Sequence, residues 1–493
     1  MRPSIPSLPP VFLAIVLGTA GCNLAPHYAR PSIDAPRQFR ESPPPSADAA
    51  AGWGTARPND ADARGRWWEL YGDPSLNALE EQVELSNQTI RAAEANFRAA
   101  RAAVASARSA LFPTITTTPS FTRTRTSQNL KAATGGTPAA NTPALVNEYS
   151  LPIDASYEID FWGRIRNGLA ASRASAEASA ADLATARLST QAELAQDYFQ
   201  VRAIDAEKQI LDDTVASYRE SLAETSALYR SGIDSEEDVA RAQTQLNTAI
   251  AQATDFGVAR AAYEHAIAVL IGKSPAGFAL AVSPFTARPP SVPVGLPSNL
   301  LERRPDIAAA ERRAAAANAE IGVARSAYFP KLLLGAAGGW QSSESSSWFD
   351  WPSRFWSLGP ELAATLFDGG ARRAQTEEAR AAFDAAAANY RQTVLGAFQA
   401  VEDNLAALRV LDQEVKEQRT AVDSSRHLLD LANTRFKTGI DSYLNVITAQ
   451  AALLSNRETE VQLQLRQMIA SVSLVKAVGG GWTNTQLDVA ASP

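Results

Sequence analysis

Cysteine occurs once in the 493 residues, at Cys22, so no internal disulfide can staple the fold. Histidine occurs three times, at His27, His265 and His427, scattered and without metal-ligand spacing. Positive charge is not in excess: 46 Lys and Arg against 53 Asp and Glu leave a formal net charge of −7, which argues against a nucleic-acid partner. Carboxylates are spread mainly along helix-like faces, and no nucleophile–base constellation is visible. The triple glycine of "GGGW" at 479–482 follows a helix end and lacks the strand–loop–helix setting of a phosphate loop. These gaps predict a protein that is not an enzyme and has no metal or cofactor. Two long stretches, 164–231 and 371–438, also lack proline, and each holds a single glycine, Gly168 or Gly396.

The first residues read as a targeting segment. Arg2 precedes the apolar run Val11 to Leu17, which is too short to span a bilayer at ~20 residues, and small residues follow up to Cys22. Ala20 and Gly21 before Cys22 suit a bacterial lipobox, but Thr19 stands where leucine is usual and Leu17 comes two residues earlier. Lipidation at Cys22 and an ordinary cleavage nearby are the two readings. Asn23, rather than aspartate, follows the cysteine, which in the lipoprotein sorting pattern it resembles favours the outer membrane.

The chain is internally duplicated. "ARSALFP" at 107–113 returns as "ARSAYFP" at 324–330, an offset of 217, and Ile90 falls on Ile307. Downstream the offset is 207: Gly163 falls on Gly370, Gly232 on Gly439 and Gly272 on Gly479. The layout is a signal peptide 1–21, an N-terminal segment 22–74, repeat 75–272, a Pro- and Gly-rich linker 273–297, repeat 298–479 and a tail 480–493. Each repeat opens on a helical run, about 75–111 or 303–329, ending at Phe-Pro. A β-hairpin follows, about 114–162 or 331–370, then a long helix, 164–231 or 371–438. A "GIDS" turn leads to a return helix, 235–271 or 442–478. The long run makes a helix of ~100 Å, and the two shorter helices of each repeat could stack end to end beside it.

Near the turns the apolar spacing alternates three and four, as in coiled coils. Leu211, Val215, Tyr218, Leu222, Thr225 and Tyr229 form one seam, and Val239, Ala242, Leu246, Ala249, Ala253 and Phe256 face it from the return helix. The strand signal is strongest at 149–161, where Tyr149, Leu151, Ile153, Ala155, Tyr157, Ile159 and Phe161 alternate with mostly polar residues. That period and length suit a membrane β-strand of about 9–11 residues. Trp356, Leu358, Pro360 and Leu362 repeat the pattern, and Trp340, Trp348, Trp351 and Trp356 read as an interfacial aromatic girdle. Each repeat supplies one hairpin, giving four strands per chain. Four strands cannot close a barrel, and open edges cannot sit in lipid, so a membrane barrel would have to be shared between chains.

Several stretches carry a specific resemblance: "CNLAPHYARP" (22–31), "WWELYGDPSLNALE" (67–80), "LPSNLLERRPDIAAAE" (296–311), "FWGRIRN" (161–167), "LFDGGARR" (366–373) and "RFKTGIDSYLNVITAQ" (435–450). The chain resembles TolC-type outer membrane factors of the NodT/OprM lipoprotein branch, over nearly the whole mature sequence. The resemblance implies a mixed α/β membrane duct, a homotrimer with a 12-stranded β-barrel and a 12-helix α-barrel, and an equatorial belt built from the chain ends and linker. It implies a passive exit duct for small molecules in a tripartite efflux system, working with a periplasmic adaptor and an inner-membrane RND-type transporter. Alternatives are a duct for type I protein secretion and a lipid-anchored coiled-coil scaffold without a pore.

Within that resemblance Gly232 and Gly439 match the tip turns where adaptor hairpins dock, and Leu444 matches a position that narrows the closed tip. Thr448 and Ala451 stand where the family has an aspartate and an arginine, so a polar latch of those two is not expected. Asp234, Glu236, Glu237 and Asp238 at the first turn and Asp441 at the second admit two readings. They favour helix starts, Ser235 with Asp238 resembling a capping box and the serine of each turn capping the next helix, or they ring the mouth with negative charge.

Overall fold

The computed structural model describes residues 23–41, 65–125, 145–233, 235–290 and 300–482. The signal peptide, Cys22, Asp234 and most of the C-terminal tail lie outside them, as do parts of the linker and of the first hairpin loop. The chain falls into two compact units. One gathers Met1–Pro31, Arg98–Ala176 and Glu311–Ala388, the other Ser32–Phe97, Glu177–Ala310 and Asn389–Pro493. The units are not the two sequence repeats, because each repeat contributes to both.

The first unit holds an antiparallel sheet. Its strands are β1 (Thr114–Thr117), β2 (Ser120–Thr124), β3 (Val146–Ile159), β4 (Lys331–Ser342) and β5 (Arg354–Ala363). The order is β1-β3-β4-β5, with β2 also pairing β3. The expected first strand is thus two segments in one position. Thr117 pairs with Ile153 and Ser120 with Ser150, so the register carries straight across the gap. Pro119 lies in that gap and Pro152 on the facing stretch of β3, and neither has an N–H to give to the ladder. β3 and β4 join the two repeats through eleven paired residues, from Tyr149↔Ser342 to Ile159↔Leu332.

Segment 23–31 runs along the part of the helix Pro305–Ser326 that belongs to the same unit, from Glu311 on. The Tyr28 hydroxyl donates to Glu311 at 2.6 Å, Asn318 donates to the Pro26 carbonyl at 2.9 Å, and Arg325 to the Leu24 carbonyl at 3.2 Å.

Numbered along the chain, the helices are α1 (Pro74–Ser86), α2 (Gln88–Ser109), α3 (Arg164–Arg230), α4 (Glu236–Leu270), α5 (Leu300–Arg303), α6 (Pro305–Ser326), α7 (Ala371–Lys437) and α8 (Tyr443–Ala477). α3 and α7 each have 67 residues, α4 and α8 each 35, so the duplication holds at the level of whole elements. None of the described helices is long and apolar enough to cross a membrane.

The opening helical runs differ from expectation, because each is broken. Asn87 is extended between α1 and α2, and Arg304 separates α5 from α6. At the second break Pro305 would keep Arg304 out of the helical region by clashing with its backbone. At the first, the Asn87 carboxamide replaces the helical bonds, accepting from the Ile90 N–H at 3.0 Å.

The second unit has the main core. Asp73 accepts from the backbone of Ser75 and Leu76 with Pro74 at the first helical position, a capped start that fixes α1. Trp67, Leu76, Ile90, Tyr198, Phe199, Ile267, Ile307, Tyr390 and Met468 fill the centre, all fully buried. The linker is tied down by charge. Arg202 donates to the Ala281 carbonyl at 2.6 Å and Arg260 to the Leu280 carbonyl at 2.7 Å, while Asp205 accepts from Arg260 at 2.7 Å.

The seam of α3 and α4 packs as its spacing predicts: Leu211, Val215, Tyr218, Leu246, Ala249 and Ala253 are buried together, with Leu222 and Phe256 against them. Tyr229, expected at the end of that seam, is exposed instead.

Candidate functional site

The two "GIDS" turns close in the same way. The Gly232 N–H donates to the Tyr229 carbonyl and that of Ile233 to the Leu228 carbonyl, at 2.9 and 3.0 Å. Gly439 and Ile440 repeat this on Phe436 and Arg435, both at 2.9 Å. The paired bonds, from the residue past the helix and the one after it, form a Schellman ending. Its left-handed position is what the glycines supply, at φ +79° and +71°. Open space surrounds both glycines, so nothing in the packing demands a missing side chain there.

The helices that follow start differently. Ser235 Oγ accepts from the Asp238 N–H at 3.2 Å and donates to the Asp238 carboxylate at 2.6 Å. Ser442, expected to cap α8, makes no side-chain cap bond. Asp441, one residue earlier, instead accepts from Asn445 at 2.6 Å and from Arg435 at 2.9 Å. The Arg435 guanidinium holds the Asp441 carboxyl below the usual carboxylate range. Glu237 pairs with Arg241. Most acids of the described turns therefore have partners in their own chain.

The start of α8 packs on the first hairpin. Tyr443, Val446 and Ala449 are buried with Ala242 and Ala432, against Leu222 and Leu429. Gln450 donates to Ser221 at 3.3 Å. The structure places Leu444 on the opposite side of α8, 45% exposed. Thr448 points its hydroxyl back to the Leu444 carbonyl at 2.9 Å, a bond internal to the helix. Ala451 lines an open groove between α4 and α8, with Thr244, Gln245, Thr248 and Ile447.

The sheet presents two chemically different faces. The register puts Ile115, Phe121, Tyr149, Leu151, Ile153, Tyr157, Ile159, Leu332, Leu334, Trp340, Trp356, Leu358 and Leu362 on one face. Thr116, Ser150, Asp154, Ser156, Glu158, Gln341, Ser357 and Glu361 lie on the other, interrupted by Leu333 and Phe355. Trp356, Leu358 and Leu362 are largely exposed, as are Ile115 and Phe121, so no other described residues cover this apolar face. The outer strand edges, β1 with β2 on one side and β5 on the other, have no further strand beside them among the described residues.

Of the four girdle tryptophans, Trp340 and Trp348 gather in one cluster. The Trp348 ring lies 5.0 Å from Phe349 and 5.6 Å from Tyr149, Trp340 is 6.0 Å from Phe349, and Phe121 is 4.7 Å from Tyr149. Trp351 stands apart under the Arg354 guanidinium, 3.9 Å from its ring centre. Trp356 stands on the apolar face itself.

The sequence reading missed a second aromatic group at the other end of the strands. Trp162 stacks on Phe329 at 4.5 Å, touches Phe161 at 5.5 Å, and donates from its indole to the Pro330 carbonyl at 2.9 Å. The paired "LFP" and "YFP" motifs were its signal, since each phenylalanine stands one proline ahead of a strand. Three arginines at this end are paired with carboxylates: Arg164 with Glu158, Arg166 with Asp160 and Arg372 with Asp368, at 2.8, 3.2 and 2.5 Å.

A sheet with one apolar exposed face, aromatic groups at both ends of that face and long helices leading from it defines a membrane channel protein of the β-barrel-and-helix type. The chain belongs to the outer membrane efflux protein family, whose model matches residues 79–273 and 296–480. It is 34% identical to the solvent efflux pump outer membrane protein SrpC of Pseudomonas putida, over 97% of this chain and 98% of that one. It is 31% identical to the pyoverdine export outer membrane protein OpmQ of Pseudomonas aeruginosa, over 99% of both. Among solved structures, the outer-membrane channel OprN superposes with a TM-score of 0.84 at 30% identity, covering 94% of this chain and all of that one. The protein is an outer membrane exit duct of an efflux system.

Proposed function

We propose that three copies of this chain form the duct, and that it passively carries small toxic molecules delivered by an inner-membrane RND-type transporter through a periplasmic adaptor. The observation that carries this is the sheet. Its apolar face suits lipid and its polar face suits a water-filled lumen. Its two bare edges would each leave backbone groups unpaired in hydrocarbon, at a cost of several kcal/mol per group. Pairing β5 of one copy with β1 and β2 of the next removes both edges, and three copies give the 12-stranded barrel. The long helices α3 and α7, with the stacked shorter ones, give the 12-helix barrel.

The adaptor engages the turns at Gly232 and Gly439, and the closed tip narrows at Leu444, whose side chain is 45% exposed. Asp441 and Asp238 shape the charge of that mouth, each held by a neighbour on its own chain. Cys22 carries the lipid anchor. Supporting this, Leu24 lies beside Arg325 at the end of α6, just ahead of β4, so the chain two residues past Cys22 runs beside the base of the sheet. No cofactor is needed, and the energy comes from the transporter.

The test is oligomer mass together with single-channel conductance of the mature protein in detergent and planar bilayers. A trimer with unitary conductance steps is expected. A monomer without conductance would overturn the proposal. For the anchor, Cys22→Ser is expected to abolish acyl labelling, and retained labelling would remove that site.

A further inference from the structure

We infer that the outer end of the sheet binds the phosphorylated glycolipid of the outer leaflet through Arg123 and Arg354. The register fixes where these residues stand. Arg354 pairs with Trp340, which pairs with Leu151, so all three lie in one row of the apolar face. Arg123 pairs with Asn147 on the same face, two rows further from the helices. From Ile159 to Leu151 the strand rises ~27 Å along its own direction. Tilted ~35–45° as barrel strands are, that puts the Arg354 row ~20 Å and the Arg123 row ~30 Å along the axis, on either side of the edge of an apolar band of ~25 Å. Both arginines therefore sit where this band gives way to head groups, at the end remote from α3 and α7.

At the helix end the arginines nearest the strands, Arg164, Arg166 and Arg372, are taken up by carboxylates, although the exposed Arg373 forms no ion pair with a described residue. At the outer end Arg123 and Arg354 are exposed, and neither forms an ion pair with a described residue. The acids nearby are spoken for or aimed elsewhere. Glu148 is on the polar face and accepts from Gln341 at 2.6 Å, while Glu344 and Asp350 lie in the connection between β4 and β5 and pair with neither arginine. Arg354 is instead seated over Trp351, a contact that uses the face of the guanidinium and none of its N–H donors. A guanidinium without a carboxylate, set in an aromatic belt at the membrane boundary, matches a phosphate by its planar fork of donors. Phosphates of the outer leaflet are carried on glycolipid, and the stem of each arginine can lie along the acyl region beneath.

In the proposed trimer β5 of one copy adjoins β2 of the next, which would bring Arg354 and Arg123 of neighbouring copies to the same edge. The inference rests on that placement of the sheet, and oligomer mass and conductance of the same preparation test the placement separately.

The experiment titrates the full-length protein in detergent with bis-phosphorylated lipid A and counts bound lipid by native mass spectrometry. Retention is expected to fall about tenfold for each arginine replaced in R123Q/R354Q, the loss of one charge-assisted contact apiece, with oligomer mass and conductance unchanged. Wild-type protein is expected to retain lipid A stripped of both phosphates about a hundredfold more weakly than the intact lipid. This second comparison stands even if the double variant fails to assemble. Equal retention of the stripped and intact lipids would overturn the inference, as would displacement of the lipid by inorganic phosphate at equal concentration.

Discussion

The side-chain amide of Asn87 donates a 2.7 Å hydrogen bond to the carbonyl oxygen of Leu270, the last residue of α4. The same carboxamide caps the start of α2 through the Ile90 N–H, so one residue serves the C-terminus of one helix and the N-terminus of another. The second repeat makes the same junction with different chemistry. Arg304 donates to the carbonyl of Ala477, the last residue of α8, at 2.9 Å, and pairs with Asp306. Beside each junction stands a left-handed glycine, Gly272 or Gly479, where any Cβ would run into the carbonyl of the residue before the break, Ser86 or Arg303. The short helices thus abut end to end with both sets of terminal groups satisfied.

Replacing Asn87 separates its two roles. Asn87→Ala should destabilise the protein by ~1–2 kcal/mol, the usual worth of a cap, with amide exchange faster at the start of α2 and the end of α4. Asn87→Asp keeps the acceptor for Ile90 but loses the donor to Leu270, so only the α4 end should open. Equal exchange in both variants at both ends would show that the carboxamide does not couple the helices.

The turn glycines and the junction glycines should respond differently to alanine. Gly232→Ala and Gly439→Ala meet open space and bear only the left-handed backbone cost of ~1–2 kcal/mol. Gly272→Ala and Gly479→Ala bear that cost and also push a methyl into a backbone carbonyl, with no flexible side chain to yield. Melting temperatures should fall clearly further for the junction pair. A fall no larger than that of the turn pair would mean the helix ends can slide apart.

Glu80 is fully buried and neither carboxyl oxygen has a hydrogen-bond partner. Burial pushes its carboxyl up to about 9 from an ordinary 4.5. The folded state therefore favours the protonated acid, and stability should decline as pH rises from ~4.5 toward ~9. Glu80→Met removes the titrating group from a helix face it shares with Leu76, Leu79 and Val83. The variant should gain at most ~3 kcal/mol at pH 7 and little at pH 4. Thermal melts at pH 5 and 8 test this, the wild-type difference being larger than that of the variant. Identical pH dependence in the two proteins would contradict it.

Leu444 is exposed on α8 while its neighbours Tyr443 and Val446 are buried, so its substitution should spare the fold. Leu444→Ser is expected to raise the closed-state conductance several-fold without a change in melting temperature. Thr448→Ala should leave conductance unchanged, because that hydroxyl is satisfied within its own helix. An unaltered Leu444→Ser channel would remove this residue from the constriction.

The sequence by itself determined what depends on near neighbours. The repeat offsets, the glycine turns, the three-four seam of Leu211, Val215 and Tyr218 with Leu246 and Ala249, and the alternation of β3 were legible because each is a local period or a local backbone demand. Only the tertiary structure decided what depends on distant partners. Asn87 reads as ordinary helix interior until Leu270, 183 residues away, arrives to accept its proton. Trp162 belongs to an aromatic belt only because Phe329 and Pro330 fold against it, the latter 168 positions on. The pairing of β3 with β4, which joins the repeats into one sheet, is likewise non-local. Chain connectivity sets the periods, but closing long loops selects which ends meet, and no short window of residues encodes that choice.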